Sequence, residues 1–301
     1  MRTAYLGTSE FAATVLRRLA GSPHRPALVV TPPERRQGRG RKVSPPPAAI
    51  AAGELGLELL QAENVNEERA LERIRAAEPE AVLVCAFGQL IREPLLSEFP
   101  ILNVHPSLLP RWRGAAPIER AIMAGDEKTG VCVMHLTAGL DSGPVALVEE
   151  TPIGSDEDFA SLSARLAELG GDLLVRALDL QAEGTLEFTE QGEEGVTYAE
   201  KIEASERRLD PERPAGELAA KVRALTPHVG AYLETVGGER LGVKEAHAFE
   251  ADVPQGTLEV RDGALVLGCG EGALRLDVVQ PPGGKAMPAG AYLRGHEPPR
   301  L

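Results

Sequence analysis

Two polar residues spaced by one, Asn103 and His105, close an apolar run, Ile101-Leu102-Asn103-Val104-His105. On a strand, side chains two apart leave the same face, so an amide and an imidazole converge on one point. Downstream, Gly139-Leu140-Asp141-Ser142-Gly143 offers a carboxylate between glycines, in a loop able to approach that point. Acyl transfer to an amine passes through a tetrahedral species bearing an oxyanion. It needs a donor aimed at that oxygen and a route for one proton. Asn103 can donate without changing charge. His105 can donate as imidazolium or shuttle a proton, and a nearby carboxylate favours the charged ring. No serine or cysteine nucleophile is required, because the attacking nitrogen belongs to the substrate. An α-amine, with a reference pKa of about 8, is partly neutral at physiological pH. Taken singly, each residue also fits a structural role: a hydrogen-bonded histidine, a turn aspartate, an asparagine capping a turn.

The elements that must position these residues follow from periodicity. Residues 3–7, 27–31, 57–60, 81–86, 101–104, 130–136 and 145–151 read as strands. The continuous apolar run from Ala81 to Ala86 fits a strand buried on both faces. Residues 11–19, 47–55, 67–77, 118–124 and 158–183 read as helices, the last with a break at Gly170-Gly171. Residues 32–47 are too rich in Pro, Gly and Arg for regular structure. Strands alternating with helices imply an α/β fold: an open, mainly parallel, Rossmann-like sheet with helices on both faces. Ligands of such sheets sit outside the carboxyl ends of strands, which is where the candidate residues fall. After a helix at 217–225 the texture changes. Gly237-Gly238, Asp262-Gly263 and Gly270-Glu271-Gly272 punctuate short alternating segments, as in a small antiparallel β-domain or barrel. The expected division is residues 1–204 and 205–301, with a linker near 205–214.

The length of 301 residues favours two domains. With 43% hydrophobic and 26% charged residues the composition is that of a globular protein. No apolar stretch reaches the roughly 18 residues of a membrane span, and residues 1–7 lack the pattern of a signal peptide. A cytoplasmic location and no membrane partner are the expectations. Cys85, Cys132 and Cys269 lack metal or redox spacing and read as buried small hydrophobes; no metal is expected. The net charge of −13 argues against a general nucleic-acid binder. Residues 34–42 are the exception, with Arg35, Arg36, Arg39, Arg41 and Lys42 against one acid, a local net of +4. That segment reads either as a solvated loop or as a phosphate-gripping finger. No exposed apolar stripe stands out, so a monomer is expected.

Asn103-Val104-His105 runs directly into Pro106-Ser107-Leu108-Leu109-Pro110, and Gly139-Leu140-Asp141 follows later. This pairing resembles the signature of the formyltetrahydrofolate-dependent formyltransferases. Arg111-Trp112-Arg113-Gly114-Ala115-Ala116-Pro117-Ile118 resembles the branch of that family that acts on methionyl-tRNA. Gly7-Thr8 with Phe11, Gly38-Arg39-Gly40-Arg41-Lys42, Ala86-Phe87-Gly88-Gln89, Tyr198 with Lys201, Gly230-Ala231-Tyr232 and Leu293-Arg294-Gly295-His296 extend the likeness over nearly the whole chain. Departures are Ser9 for a common proline, Pro144 for a common acid after the Asp141 loop, and Glu200 for a proline before Lys201; none touches the trio.

The resemblance implies that Asn103, His105 and Asp141 are the catalytic trio. It implies that Ser107, Leu108, Leu109 and Pro110 line the site of 10-formyltetrahydrofolate, a cosubstrate. Phe87, Gly88, Gln89, Leu90 and Ile91 would approach its pterin ring, largely through backbone groups. The partner implied is initiator tRNA charged with methionine. The basic segment 35–42 would take its acceptor end, Arg111 and Arg113 its terminal nucleotides, and an oligonucleotide-binding-type (OB-like) C-terminal barrel would help hold it. Trp112 reads either as core or as a stacking surface. Three alternatives remain. A formyltransferase acting on a small nucleotide or sugar amine would need neither basic segment nor second domain. A dinucleotide oxidoreductase is disfavoured because Gly7-Thr8-Ser9-Glu10-Phe11 lacks G-x-G-x-x-G spacing. A non-catalytic RNA-binding relative would not need the trio.

Overall fold

The computed structural model describes residues 1–37 and 42–301, with the backbone alone at Arg36, Gln37 and Lys42. Up to residue 199 the strands are β1 (Thr3–Gly7), β2 (Pro26–Thr31), β3 (Arg35–Gln37), β4 (Lys42–Ser44), β5 (Leu59–Gln61), β6 (Ala81–Cys85), β7 (Ile101–His105), β8 (Arg113–Gly114), β9 (Lys128–His135), β10 (Val145–Pro152) and β11 (Tyr198–Ala199). The helices are α1 (Glu10–Ala20), α2 (Pro47–Glu54), α3 (Glu68–Ala76), α4 (Leu95–Glu98), α5 (Pro117–Ala124) and α6 (Phe159–Glu183). The chain divides into two compact units. One contains Met1–Gly114, Lys128–Pro152 and Ser163–Tyr198; the other contains Ala115–Glu127, Ile153–Leu162 and Ala199–Leu301.

The first unit is built on a seven-stranded sheet in the order β10-β9-β7-β6-β1-β2-β5. The five strands from β7 to β5 run parallel. β9 is antiparallel to β7, and β10 to β9. Side chains alternate across the sheet as a pleat requires. Ala4, Leu6, Val82, Val84 and Ile101 join Leu71 and Ile74 of α3 and Leu95 of α4 in one cluster. On the opposite face the Tyr5 hydroxyl donates to the Ala12 carbonyl of α1 at 2.7 Å. Helices therefore cover both faces. α1 begins where Ser9 accepts a hydrogen bond from the Ala12 amide at 3.3 Å, the work of an N-cap. A serine thus suits this place, where the family resembled commonly has a proline.

Two expectations are corrected. Residues 32–47 were expected to be irregular, yet β3 and β4 pair antiparallel, Arg35 opposite Ser44 and Gln37 opposite Lys42. Two-stranded pairing asks only for extended backbone, which Arg, Gln, Lys and Val adopt readily. The helix expected to break at Gly170-Gly171 runs unbroken through all 25 residues of α6. Its glycines serve packing instead: a Cβ on Gly170 would lie 2.9 Å from Val104 of β7, and one on Gly171 would lie 2.8 Å from Arg18 of α1. Missing side chains let α6 lie close to the sheet and to α1.

The second unit contains a one-turn helix at Ala204–Arg207, α7 (Ala215–Leu225), six strands and α8 (Ala289–Tyr292). The strands β12 (Ala231–Glu234), β13 (Arg240–Phe249), β14 (Leu258–Arg261), β15 (Ala264–Gly268), β16 (Ala273–Gln280) and β17 (Met287–Pro288) form one antiparallel sheet. The order is β12-β13-β16-β15-β14, with β17 beside β16. Leu218, Val222 and Leu225 of α7 pack against Val243, Leu265, Leu274 and Leu276. Asp262 and Gly263, at φ +49° and +75°, turn β14 into β15 in two residues, the left-handed pair a tight hairpin needs. Before α7, Arg120 donates to both carboxylate oxygens of Glu206 at 2.6 and 3.1 Å, which holds that carboxyl below its ordinary range.

All three cysteines are free and buried. Burial pushes the Cys85 thiol up to about 12 and those of Cys132 and Cys269 up to about 11. Among the described residues no helix is long and apolar enough to cross a membrane.

The glycine packing yields a paired prediction. Gly170→Val should lower stability by about 1–3 kcal/mol, because overpacking outweighs the gain in helix propensity. Gly216→Ala in α7, where an added Cβ meets nothing within 4 Å, should raise it by about 0.5 kcal/mol. Denaturant unfolding of both variants checks the contrast, and equal midpoints would refute it.

Candidate active site

The site is built at the carboxyl end of β7. Asn103 and His105 share the face of Ile101, and both are buried, at 7% and 4% exposure. β7 lies between parallel β6 and antiparallel β9, with Asn103 opposite Val84 and Met134. Two paired neighbours fix the strand, so these side chains leave it at set angles. Among the described residues no hydrogen-bond partner holds the Asn103 amide. Its amide is not among the buried polar atoms left without a partner, so it opens to solvent and can donate to a group that enters the site.

His105 is held through both ring nitrogens. Nε2 lies 2.9 Å from the Trp112 carbonyl oxygen. A carbonyl only accepts, so Nε2 carries hydrogen. Nδ1 then faces Oδ2 of Asp141 at 3.6 Å. In the neutral ring Nδ1 is a lone pair aimed toward a carboxylate. The geometry thus sets a carboxylate beside the ring nitrogen that carries the lone pair.

The partners of His105 are themselves held under strain. Trp112 sits at φ +64° and Asp141 at φ +43°, in the left-handed region. Aspartate tolerates that region; tryptophan does so at greater cost. Trp112 is fixed by its amide, which donates to Thr197 Oγ1 at 2.9 Å, while the Arg113 amide donates to the Thr197 carbonyl at 2.9 Å. Asp141 Oδ2 accepts the Gly114 amide at 2.8 Å. Next to this loop, a Cβ on Gly143 would fall 2.0 Å from the His135 carbonyl oxygen, so only glycine fits there. The Pro144 carbonyl accepts the His135 amide at 2.9 Å, so proline there leaves the link to β9 intact.

The Ser107–Pro110 turn is internally satisfied. Ser107 is fully buried, its hydroxyl donates to the Arg111 carbonyl at 2.7 Å, and its amide donates to the His105 carbonyl at 2.9 Å. The Ser107 side chain therefore shapes the turn, and Leu108, Leu109 and Pro110 keep the partly exposed surface. Cys132, across from His105, has its thiol pushed up to about 11 by burial and stays protonated.

Residues 87–91 follow β6, beside the point where the strand order reverses about β1. The Thr8 hydroxyl donates to the Phe87 carbonyl at 2.6 Å and ties the two loops together. Phe87 and Ile91 turn into the core. Gln89 donates to the Ala62 carbonyl at 3.0 Å and accepts from the Val65 amide at 2.8 Å, while Asn66 donates to the Leu90 carbonyl at 2.8 Å. The loop is fastened from beneath, and its outward surface is Ala86, Gly88 and Leu90, the last 64% exposed.

The basic residues divide. Arg35 is exposed on β3; Arg36 and Lys42 are described by backbone alone; Arg39 and Arg41 lie outside the described residues. The Arg111 guanidinium stacks over the Trp112 ring at 4.2 Å. Arg113 turns to Gln191, donating through Nε at 3.0 Å and Nη2 at 2.7 Å to Oε1. Sequence reasoning missed Gln191 and Thr197. Both lie between α6 and β11, where no periodicity or motif marks them. Among the described residues no group of three His, Cys, Asp or Glu could hold a metal ion.

This arrangement suits acyl transfer to an amine, and comparison with known proteins agrees. Residues 1–178 match the family model described as Formyl transferase, and residues 201–297 match that of Formyl transferase, C-terminal domain. A methionyl-tRNA formyltransferase of Methylococcus capsulatus is 43% identical over 300 residues, covering 98% of this chain and 97% of its own. One from Stenotrophomonas maltophilia is 43% identical over 308 residues, covering 100% and 99%. Among solved structures, HypX from Aquifex aeolicus in complex with tetrahydrofolic acid superposes with a TM-score of 0.68 at 20% identity, covering 97% of this chain and 47% of that one. That likeness speaks for the fold. With both family models spanning most of its length and the transfer chemistry legible in its site, the chain belongs to the formyl transferase family and is an enzyme that transfers a formyl group.

Proposed function

We propose that the chain moves the formyl group of 10-formyltetrahydrofolate to the free amino group of methionine esterified to initiator tRNA. The observation that carries this is the pairing of the Asn103 amide, which no described side chain or backbone group holds, with an imidazole whose Nδ1 faces Asp141. The names of the full-length relatives support methionyl-tRNA as the acceptor. The folate held by a structure of the same fold supports the donor.

In this reading the amine nitrogen attacks the formyl carbon, and a C–N bond forms as the carbonyl oxygen takes negative charge. Asn103 donates to that oxygen. His105 Nδ1 accepts the proton the nitrogen loses, and Asp141 stabilises the imidazolium that results. The same proton then passes to the departing folate nitrogen as its bond to the formyl carbon breaks. No covalent enzyme intermediate forms, consistent with thiols that burial keeps protonated. Leu108 to Pro110 and the outer surface of residues 86–90 would receive the folate. Residues 1–204 would be the catalytic part and residues 205–301 the part that helps hold tRNA. Arg35, Arg36, Arg39, Arg41, Lys42 and Arg111 would meet phosphates or terminal nucleotides, and the Arg111–Trp112 stack offers a flat cationic surface for a base.

The test is formylation with 10-formyltetrahydrofolate, offering methionyl initiator tRNA and a small nucleotide amine separately. Formyl-methionyl-tRNA alone is the expected product. Product on the small amine alone would retain the trio but overturn the acceptor. Asn103→Ala should lower kcat about 10²- to 10³-fold, the usual loss of one oxyanion donor, and His105→Ala should lower it further. Single-turnover rates check both; an undiminished rate would remove the residue from the mechanism.

Replacing Arg39, Arg41 and Lys42 together by Ala should weaken tRNA binding and flatten its dependence on salt, by roughly 0.7–0.9 of a log unit per log unit for each phosphate no longer neutralised. Filter binding from low to high salt measures the slope, and an unchanged slope would return the segment to a solvated loop.

A further inference from the structure

Gln191 occupies a bridging place that catalysis as described above does not use. Its Nε2 lies 2.8 Å from the Asp141 carbonyl oxygen and 2.7 Å from that of Gly143. Its Oε1 receives Nε and Nη2 of Arg113 at 3.0 and 2.7 Å. All the strong hydrogen-bonding capacity of the amide is thereby spent. The orientation is also unambiguous: a guanidinium only donates and a carbonyl only accepts, so oxygen must face Arg113 and nitrogen must face the loop. Two residues earlier, Thr189 exchanges both backbone hydrogen bonds with Val145 at 2.8 Å, which fastens this segment alongside the start of β10.

Asp141 needs such a hold. It sits at φ +43°, and its own contacts are one amide on Oδ2 and His105 Nδ1 at 3.6 Å. Ser142 and Gly143 give the loop little side chain with which to anchor itself. A shift of about 1 Å at Asp141 would separate the carboxylate from the imidazole it must face, and misplacement on that scale costs about 10²-fold in rate.

We infer that Gln191 is a positioning residue for formyl transfer, which holds Asp141 against His105 by tethering both carbonyls of its loop, with Arg113 orienting the Gln191 amide. The inference rests on the formyl-transfer reading of the trio. It also gives Arg113 a role in the site that does not require contact with tRNA.

Gln191→Glu separates the two functions of the side chain. It keeps an acceptor for Arg113 but sets an oxygen against the two carbonyls in place of the donor. Gln191→Ala removes both. Steady-state formylation of methionyl-tRNA should show kcat reduced about 10²-fold in either variant, with KM for both substrates within about threefold of the parent. The pH–rate profile of Gln191→Glu should coincide with that of Asp141→Asn. Adding Gln191→Glu to Asp141→Asn should lower kcat by less than about twofold, since the two changes break one unit. Arg113→Ala, which leaves the tether but frees the amide to turn, should lose about tenfold and supplies a second probe should a Gln191 variant fold poorly. A parent-like kcat in Gln191→Glu, or losses that multiply in the double variant, would overturn the inference while the parent enzyme still formylates. A parent enzyme that formylates nothing would overturn the formyl-transfer reading, and the inference with it.

Discussion

The site turns on the carbonyl of Trp112. Because that oxygen accepts from His105 Nε2 at 2.9 Å, the ring cannot place its hydrogen elsewhere without losing a buried bond. Nδ1 is thereby left to face Asp141. A tautomer is a small matter energetically in water. In a buried site it decides which ring nitrogen can accept a proton and which can only donate one. The left-handed backbone of Trp112 aims the carbonyl, and the Thr197 pair holds that backbone in place. A residue 85 positions downstream of Trp112 thus sets the chemical state of His105.

The sheet explains why the arrangement can be strained without collapsing. Asn103 and His105 ride on a central strand with hydrogen-bonded neighbours on both sides. Gly170 lets α6 press on the opposite face of the same strand, at Val104. The trio's two rigid members come from this scaffold, and its third member comes from a loop. Loops carry function because a scaffold can hold them, and here the holding is done by side chains that the chemistry never touches.

Much of this is legible in the sequence. The strand expected at 101–104, the two polar residues Asn103 and His105 spaced to share a face and the glycine-flanked aspartate follow from spacing alone, and the strand pattern predicts a mainly parallel sheet. The Gly170-Gly171 pair misleads because glycine lowers helix propensity by about 1 kcal/mol, a local argument. The actual cause is tertiary: room for Val104 and Arg18. Ser107, which the resemblance places in the motif lining the folate site, is fully buried, with its hydroxyl on the Arg111 carbonyl. Phe87 and Ile91 turn inward, which leaves that loop the backbone approach the resemblance implies. A motif states which residues travel together and is silent on which of them face the ligand and which face the core.

Gln191 and Thr197 are illegible for a different reason. The partners of their side chains lie 48 to 85 positions away, and the segment that carries them has neither a helical nor a strand period. Hydrogen bonds made by a side chain to distant backbone leave no local pattern, because nothing in the neighbouring residues must change to accommodate them. A glutamine whose oxygen meets only donors and whose nitrogen meets only acceptors is nevertheless a strong statement once the coordinates are known. Full occupation of both ends places two of its partners, the Asp141 and Gly143 carbonyls, in the loop that faces His105 and the third, Arg113, beside it.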